Sequence, residues 1–317
     1  MTYQSIAISN DLITLPNLPG WVTTGRVETP ETVAFRSGAA LTVLDQLIGD
    51  PRHGVPGKLL SNRLALTAAT ATSKLEGRLA READIRDAFH LTPAGEARGP
   101  DGDLLAYWRE AARLRLTGRE WHAGLVGSGF ETDVDGWLQS AAKQSQSHGP
   151  LTGCVAVMRS IVQADDRAER VACLMSDILL ARSLNWPSVL PISSQYLTKA
   201  MLRDLLGDGQ GADLVVQQRL LQSIEETIRL ARDLAQRAVI LEAVAPKLRA
   251  KGSDAAVTVF LSEDAVAPST MLSPMIEGTA IPMTDRAARR FCDRLVELGV
   301  ACELTGRSTF RLYGIAP

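Results

Sequence analysis

Apolar residues return every three or four positions along most of this chain. In ETVAFRSGAALTVLDQLIGD, Val33, Leu41, Leu44 and Leu47 share one face and predict a helix. KLLSNRLALTAATATSKLE predicts a second helix from Lys58 to Glu76, closed by Gly77 as the residue just past its end. READIRDAFHL predicts a third, followed by a Gly/Pro loop from Pro93 to Gly102, and DLLAYWREAARLRL is amphipathic. Within 118–150 the best helical piece is ETDVDGWLQSAAKQSQ, and residues 1–30 are punctuated by Pro and Gly and predict irregular chain.

The centre is denser. LTGCVAVMRSIV and RAERVACLMSDILLARSL are nearly apolar all round and predict core helices. NWPSVLPIS breaks the chain at Pro187 and Pro191, and a helix is expected from Ser194 to Leu206. GDGQGAD (Gly207–Asp213) follows no predicted strand and lacks a Walker lysine, so it reads as a helix–helix connection. LVVQQRLLQSIEETIRLARDLAQRAVILEAV then predicts one long helix stopped near Pro246. The tail changes character: GSDAAVTVFLSEDAV predicts a short helix and PSTMLSPMIEGTAIP is broken. Thr284 caps DRAARRFCDRLVELG, which stops at Gly299, and ACELTG and TFRLYGI predict two strands around Gly306, Arg307 and Ser308. Helix, short helix, capped helix and hairpin is the order of a winged helix-turn-helix.

Composition narrows the class without naming a ligand. The 317 residues carry 34 Lys+Arg against 36 Asp+Glu, a net charge of -2, with 45% apolar and 22% charged residues. Such a balance gives no general attraction to nucleic acid or anionic membrane, so any basic surface must be local. No stretch reaches the ~20 apolar residues of a membrane span. The N-terminal residues have no basic region followed by an apolar run, so no signal peptide is expected. Cys154, Cys173, Cys292 and Cys302 are scattered, which fits a reducing cytoplasm, and His53, His90, His122 and His148 are isolated, so neither disulfide, metal nor cofactor is expected.

The capped helix of the tail has the make-up of a DNA-reading element. Ala288, Phe291, Cys292, Leu295 and Leu298 share one face, while Arg286, Arg289 and Arg290 lie on the other, in the N-terminal half that a recognition helix presents to the major groove. Arg307 at the hairpin tip and Arg311 in the second strand are placed for contacts to the DNA backbone. Residues 284–317 hold six arginines against four acids, a surplus that a protein-docking or structural role accommodates equally well.

Two resemblances follow from these stretches. TDRAARRFCDRLVELGVACELTGRSTFRLYGI is similar to the C-terminal winged helix of many Fic (filamentation-induced-by-cAMP) proteins, and RAERVACLMSDILLARSLNWPSVLPIS looks like the helix and proline-rich turn after the Fic catalytic motif. Nearly end to end, the chain resembles a bacterial family, domain of unknown function 1403, through AFRSGAALTVLDQL, READIRDAFHLT, PKLRAKG and DRAARRFCDRLVELG.

A working Fic motif reads H-P-F-x-D-G-N-G-R-x-x-R. Aligned on its two arginines, this chain reads RSIVQADDRAER. Arg159 then stands at the catalytic histidine and Gln163 at the magnesium-holding acid; Ala164, Asp165 and Asp166 replace the glycine nest, and Arg167 and Arg170 remain. Arginine stays protonated and cannot act as a base, and two carboxylates repel a triphosphate. The resemblance therefore implies a degenerate site. Asp165 and Asp166 are expected to favour the dipole of the following helix, with Asp166 and Arg170 as an i,i+4 pair; alternatively Arg159, Arg167 and Arg170 hold another anion. TSKLEG, Thr72 to Gly77, also fits the inhibitory-helix pattern of the Fic family, which implies that Glu76 reaches Arg170; the alternative is an exposed glutamate before a helix-ending glycine.

The expected architecture is mainly α: an irregular segment over 1–30, a helical Fic-like body over 31–251 and a winged helix with a short β-hairpin over 253–317. The expected function is a non-catalytic DNA-binding regulator or nucleoid or mobile-element accessory factor in the cytoplasm. Its partners would be double-stranded DNA and a second copy of itself or another protein, with no membrane. A protein scaffold without DNA contact is the alternative, and a nucleotidyl or phosphoryl transferase with altered chemistry the third reading.

Overall fold

The computed structural model describes residues 14–23, 28–93, 95–116, 134–207, 210–248, 251–307 and 309–316. Most of the expected N-terminal irregular segment, the chain before the 134–148 helix, part of the Gly207–Asp213 connection and Ser308 lie outside the described residues.

The body is built from helices that the apolar spacing announces. α1 (Gly20–Thr23) is a single turn, and α2 (Pro30–Gly49) starts behind Thr29, whose hydroxyl accepts from the Thr32 N–H. α3 (Gly57–Leu75) ends at Glu76 and Gly77, where φ is 78°; the Arg78 N–H returns to the Ser73 carbonyl at 2.8 Å. α4 (Glu82–His90) and α5 (Gly99–Arg113) pack on α3. A Cβ on Gly102 of α5 would lie 3.0 Å from the Ala88 carbonyl oxygen, so only glycine lets α4 and α5 come this close.

α6 (Val134–His148), α7 (Pro150–Ala164) and α8 (Glu169–Ser183) follow as an up-down-up set, and α8 is buried over most of its surface. α9 is shorter than the expected 194–206 helix and spans only Lys199–Asp204. Its Thr198 cap accepts from the Met201 N–H, while the preceding residues are drawn into contacts with α8. α10 (Gln210–Val244) starts inside the expected connection, with Asp213 in its first turn where a negative charge suits the helix dipole. No described helix is long and apolar enough to cross a membrane.

The tail adds α11 (Ser253–Phe260), a single wide turn at Pro268–Leu272, and α12 (Asp285–Glu297) behind its Thr284 cap. β1 (Ala301–Glu303) and β2 (Tyr313–Ile315) then pair antiparallel, with Cys302 opposite Gly314. Val266 pairs with Tyr313 through two backbone hydrogen bonds of 2.7 and 2.9 Å, adding one rung on the far side of β2.

One continuous apolar core runs through body and tail, from Leu44, Leu64 and Leu105 to Phe260, Phe291 and Ile315. The two are also pinned by buried charge. Arg109 of α5 donates to Glu263 Oε2 at 3.0 Å and to Asp264 Oδ1; all three side chains are at most 5% exposed. Asn62 of α3 donates to the Ser262 carbonyl at 2.8 Å, and Lys58 reaches Glu263 at 2.8 Å. Burial opposes the charge on Asp264, but His90 3.4 Å away, with Arg109 and Arg63, overcomes it and holds the carboxyl at about 2. Arg63 and Arg86 donate to the carbonyls of Ile315 and Leu304 at 3.3 and 3.0 Å.

Arg109→Ala would strand Glu263 and Asp264 without the buried guanidinium that they share. The expected loss is about 3–5 kcal/mol in urea unfolding, as for breaking other buried ion pairs from one side. A loss below about 1 kcal/mol, the scale of a surface pair, would show that the network carries no weight.

Candidate functional site

The residues aligned with the degenerate motif do not converge. Arg159 projects from α7 toward the start of α10, where its guanidinium pairs with Asp213 and donates to the Leu205 carbonyl at 3.0 Å. Gln163, Asp166 and Arg167 are exposed. Asp165 ends α7: its N–H returns to the Ile161 carbonyl, and its carboxylate accepts from the Arg167 N–H at 2.9 Å. That local turn delays α8 until Glu169, with Ala168 at the cap position and no side-chain cap. The expectation that Asp165 and Asp166 open this helix is therefore corrected. Asp166 and Arg170 form no i,i+4 ion pair, because Asp166 precedes the helix and Arg170 turns to another acid.

That acid is Glu76. Its Oε1 accepts from Arg170 Nε at 2.6 Å, and its Oε2 from Arg78 at 3.2 Å. Arg78 reaches on to Asp101 at 3.5 Å. The Arg170 guanidinium sits 5.1 Å above the Tyr107 ring, a cation–π contact that covers its other side. Thr72 turns away from this knot and bonds the indole of Trp108 at 2.9 Å, anchoring α3 to α5. The helix-ending turn at Gly77 is what brings Glu76 and Arg78 to the same spot. Chemically, Arg170 already holds a carboxylate. Arg159 is consumed by a carboxylate and a carbonyl, which leaves the three arginines in no common anion site.

Deeper in α8 lies a group that apolar periodicity gave no reason to single out. Asp177 is fully buried, and its Oδ1 accepts from the Ile192 N–H, the Ser193 N–H and the Ser193 hydroxyl at 3.1, 2.8 and 2.7 Å. Its Oδ2 has no partner among the described residues. Burial pushes its carboxyl up to about 7 against the pull of these donors. One acid in the otherwise apolar run CLMSDILL was the available signal.

In the tail, Arg286, Arg289 and Arg290 are all exposed on α12, as the pattern predicts. Their partners differ. Arg289 pairs with Asp285 at 2.9 Å, whereas Arg286 and Arg290 have no acidic partner among the described residues. Arg307 reaches back to Asp87 of α4 at 3.2 Å, and Arg311 lies 3.8 Å from Asp293. Pattern reading passed over Arg294 of α12, and Lys247 from the turn Ala245–Lys247 after α10. Both line a cleft of about 680 Å³ with Arg286 and Arg290.

The molecule is thus a mainly helical protein with a small antiparallel hairpin near its C-terminal end. It belongs to the family described as "Protein of unknown function (DUF1403)", whose model matches residues 6–315. No curated protein matches the chain in sequence.

The pH dependence of Asp177 follows from its burial. Unfolded, the carboxyl titrates near 3.8, and folded at about 7, so the folded state binds the proton more tightly. Stability from this group is complete below 3.8 and is lost as pH rises through about 7. Asp177→Asn keeps the Oδ1 acceptor and removes the titration. Between about pH 5 and about pH 7 the wild type should lose more stability than the variant, at about 1.4 kcal/mol for each pH unit. Parallel melting curves across that range would refute the assignment.

Proposed function

We propose that this protein is a non-catalytic, nucleic-acid-binding regulatory or accessory factor: a degenerate Fic-like body carrying a winged-helix tail. The single observation behind the proposal is the pair Arg286 and Arg290, exposed on a capped helix and unpaired within the described chain. Free, solvated guanidinium groups on one helix face suit phosphate and base acceptors. The order of α11, the Val266 rung, the turn at Pro268–Leu272, α12 and the β1–β2 hairpin supports the winged-helix reading. The ion pair of Arg307 with Asp87 supports a wing tip that serves first to dock the tail on the body.

Gel-shift titration of the full chain with duplex DNA tests this. Arg286→Ala/Arg290→Ala should weaken binding and lower the slope of log K against log salt by about one unit for each phosphate no longer neutralised. If the wild type shows no shift at low salt, where non-specific affinity is strongest, the DNA reading fails and the scaffold reading replaces it.

The body is read as inactive because Arg159 stands where a base is needed and Asp165 and Asp166 stand where a phosphate nest is needed. Glu76 occupying Arg170 supports the same reading. Calorimetry with ATP and magnesium should record no binding heat; micromolar affinity would overturn the non-catalytic assignment.

A further inference from the structure

The α12 face does not stand clear of the molecule. Lys247 and Leu248, which follow α10 of the body, line the same cleft as Arg286, Arg290 and Arg294 of the tail. Among the described residues its remaining lining is Thr284, Ala287 and Phe291, so four cations face the cleft and the other described lining residues are neutral. Glu297, which pairs with Arg294 at 2.8 Å, is 64% exposed and is not among the lining residues. An exposed pair of this kind contributes little and yields readily to a stronger acceptor.

A recognition helix enters a major groove roughly 12 Å wide only if it projects from its domain. Here the body stands beside the helix and narrows the approach. A single phosphodiester strand running along the cleft, by contrast, meets cations from both body and tail.

Resting on the nucleic-acid reading above, we infer that Lys247, Arg286, Arg290 and Arg294 form a clamp on the sugar–phosphate backbone. Its residues come from body and tail and meet phosphates alone, so the binding it gives is sequence-independent. Phosphate contacts position a protein and carry no sequence information, which makes the consequence measurable. The clamp also exists only while the tail is docked, because Lys247 belongs to the body. Lys247 and Arg294 are the residues that separate this arrangement from an α12 helix acting alone.

The test uses the full chain and two duplexes of equal length and unrelated sequence, titrated over a range of salt. The wild type should bind both with similar affinity and salt slope. Lys247→Ala/Arg294→Ala alters only exposed side chains and should weaken both duplexes alike, lowering the slope by about two units, one for each phosphate neutralised. If that variant matches the wild type while Arg286→Ala/Arg290→Ala still weakens binding, the clamp is overturned and the nucleic-acid reading stands. A marked preference of the wild type for one duplex would likewise overturn the clamp. Tighter binding to poly-glutamate than to either duplex would replace phosphate by an acidic protein partner. If the wild type binds none of these, both the clamp and the reading beneath it fall.

Discussion

A guanidinium and two carboxylates buried in one apolar seam set the architecture of this molecule. Arg109 comes from the fifth helix, Glu263 and Asp264 from the chain beyond the eleventh, and all three are buried. An ion removed from water costs several kcal/mol unless its partners stay in place. Separating tail from body would break these paired contacts and open the shared apolar core to water. The seam therefore behaves as a fixed joint, and every surface that spans it, including the cleft between Lys247 and α12, inherits that rigidity.

The same fifth helix links two regions that look unrelated. Tyr107 covers Arg170 on one side of it, Trp108 holds Thr72, and Arg109 holds the tail. Three consecutive residues thus connect the arginine knot at the start of the eighth helix to the joint with the tail. Glu76 completes the knot from the third helix, through a turn that glycine at position 77 allows.

Much of the helical framework is legible in the residues themselves, because the spacing of Leu, Val and Ala reports a buried face directly. Thr284 and Gly299 mark the limits of the tail helix by cap chemistry that needs no tertiary knowledge. Partners are a different matter. Arg170 meeting Glu76, which lies 94 residues earlier, could be anticipated only through a family resemblance. The turn before Lys199 escaped periodicity because Asp177 captures the amides of Ile192 and Ser193, an interaction between segments 15 and 16 residues apart. Asp165 misled for a related reason: a carboxylate that suits a helix start also suits the turn that ends the helix before it. At the cleft, single-helix reasoning found Arg286 and Arg290 and missed Lys247, because only the folded chain sets it in the same cleft.

The hydrogen bonds from Arg63 to Ile315, Arg86 to Leu304 and Asn62 to Ser262 join residues 252, 218 and 200 positions apart. Ribosomal synthesis proceeds from the N-terminus, so the third, fourth and fifth helices emerge long before these acceptors exist. Until then Arg63 and Arg109 lack the acceptors they meet in the folded chain, and the apolar surface destined for Phe260 and Phe291 stays open. Until those later segments arrive, the body's apolar surface is incompletely covered, the condition under which partly folded chains are prone to aggregate. Core formation thus needs a closing step, in which later helices complete the apolar surface begun by earlier ones.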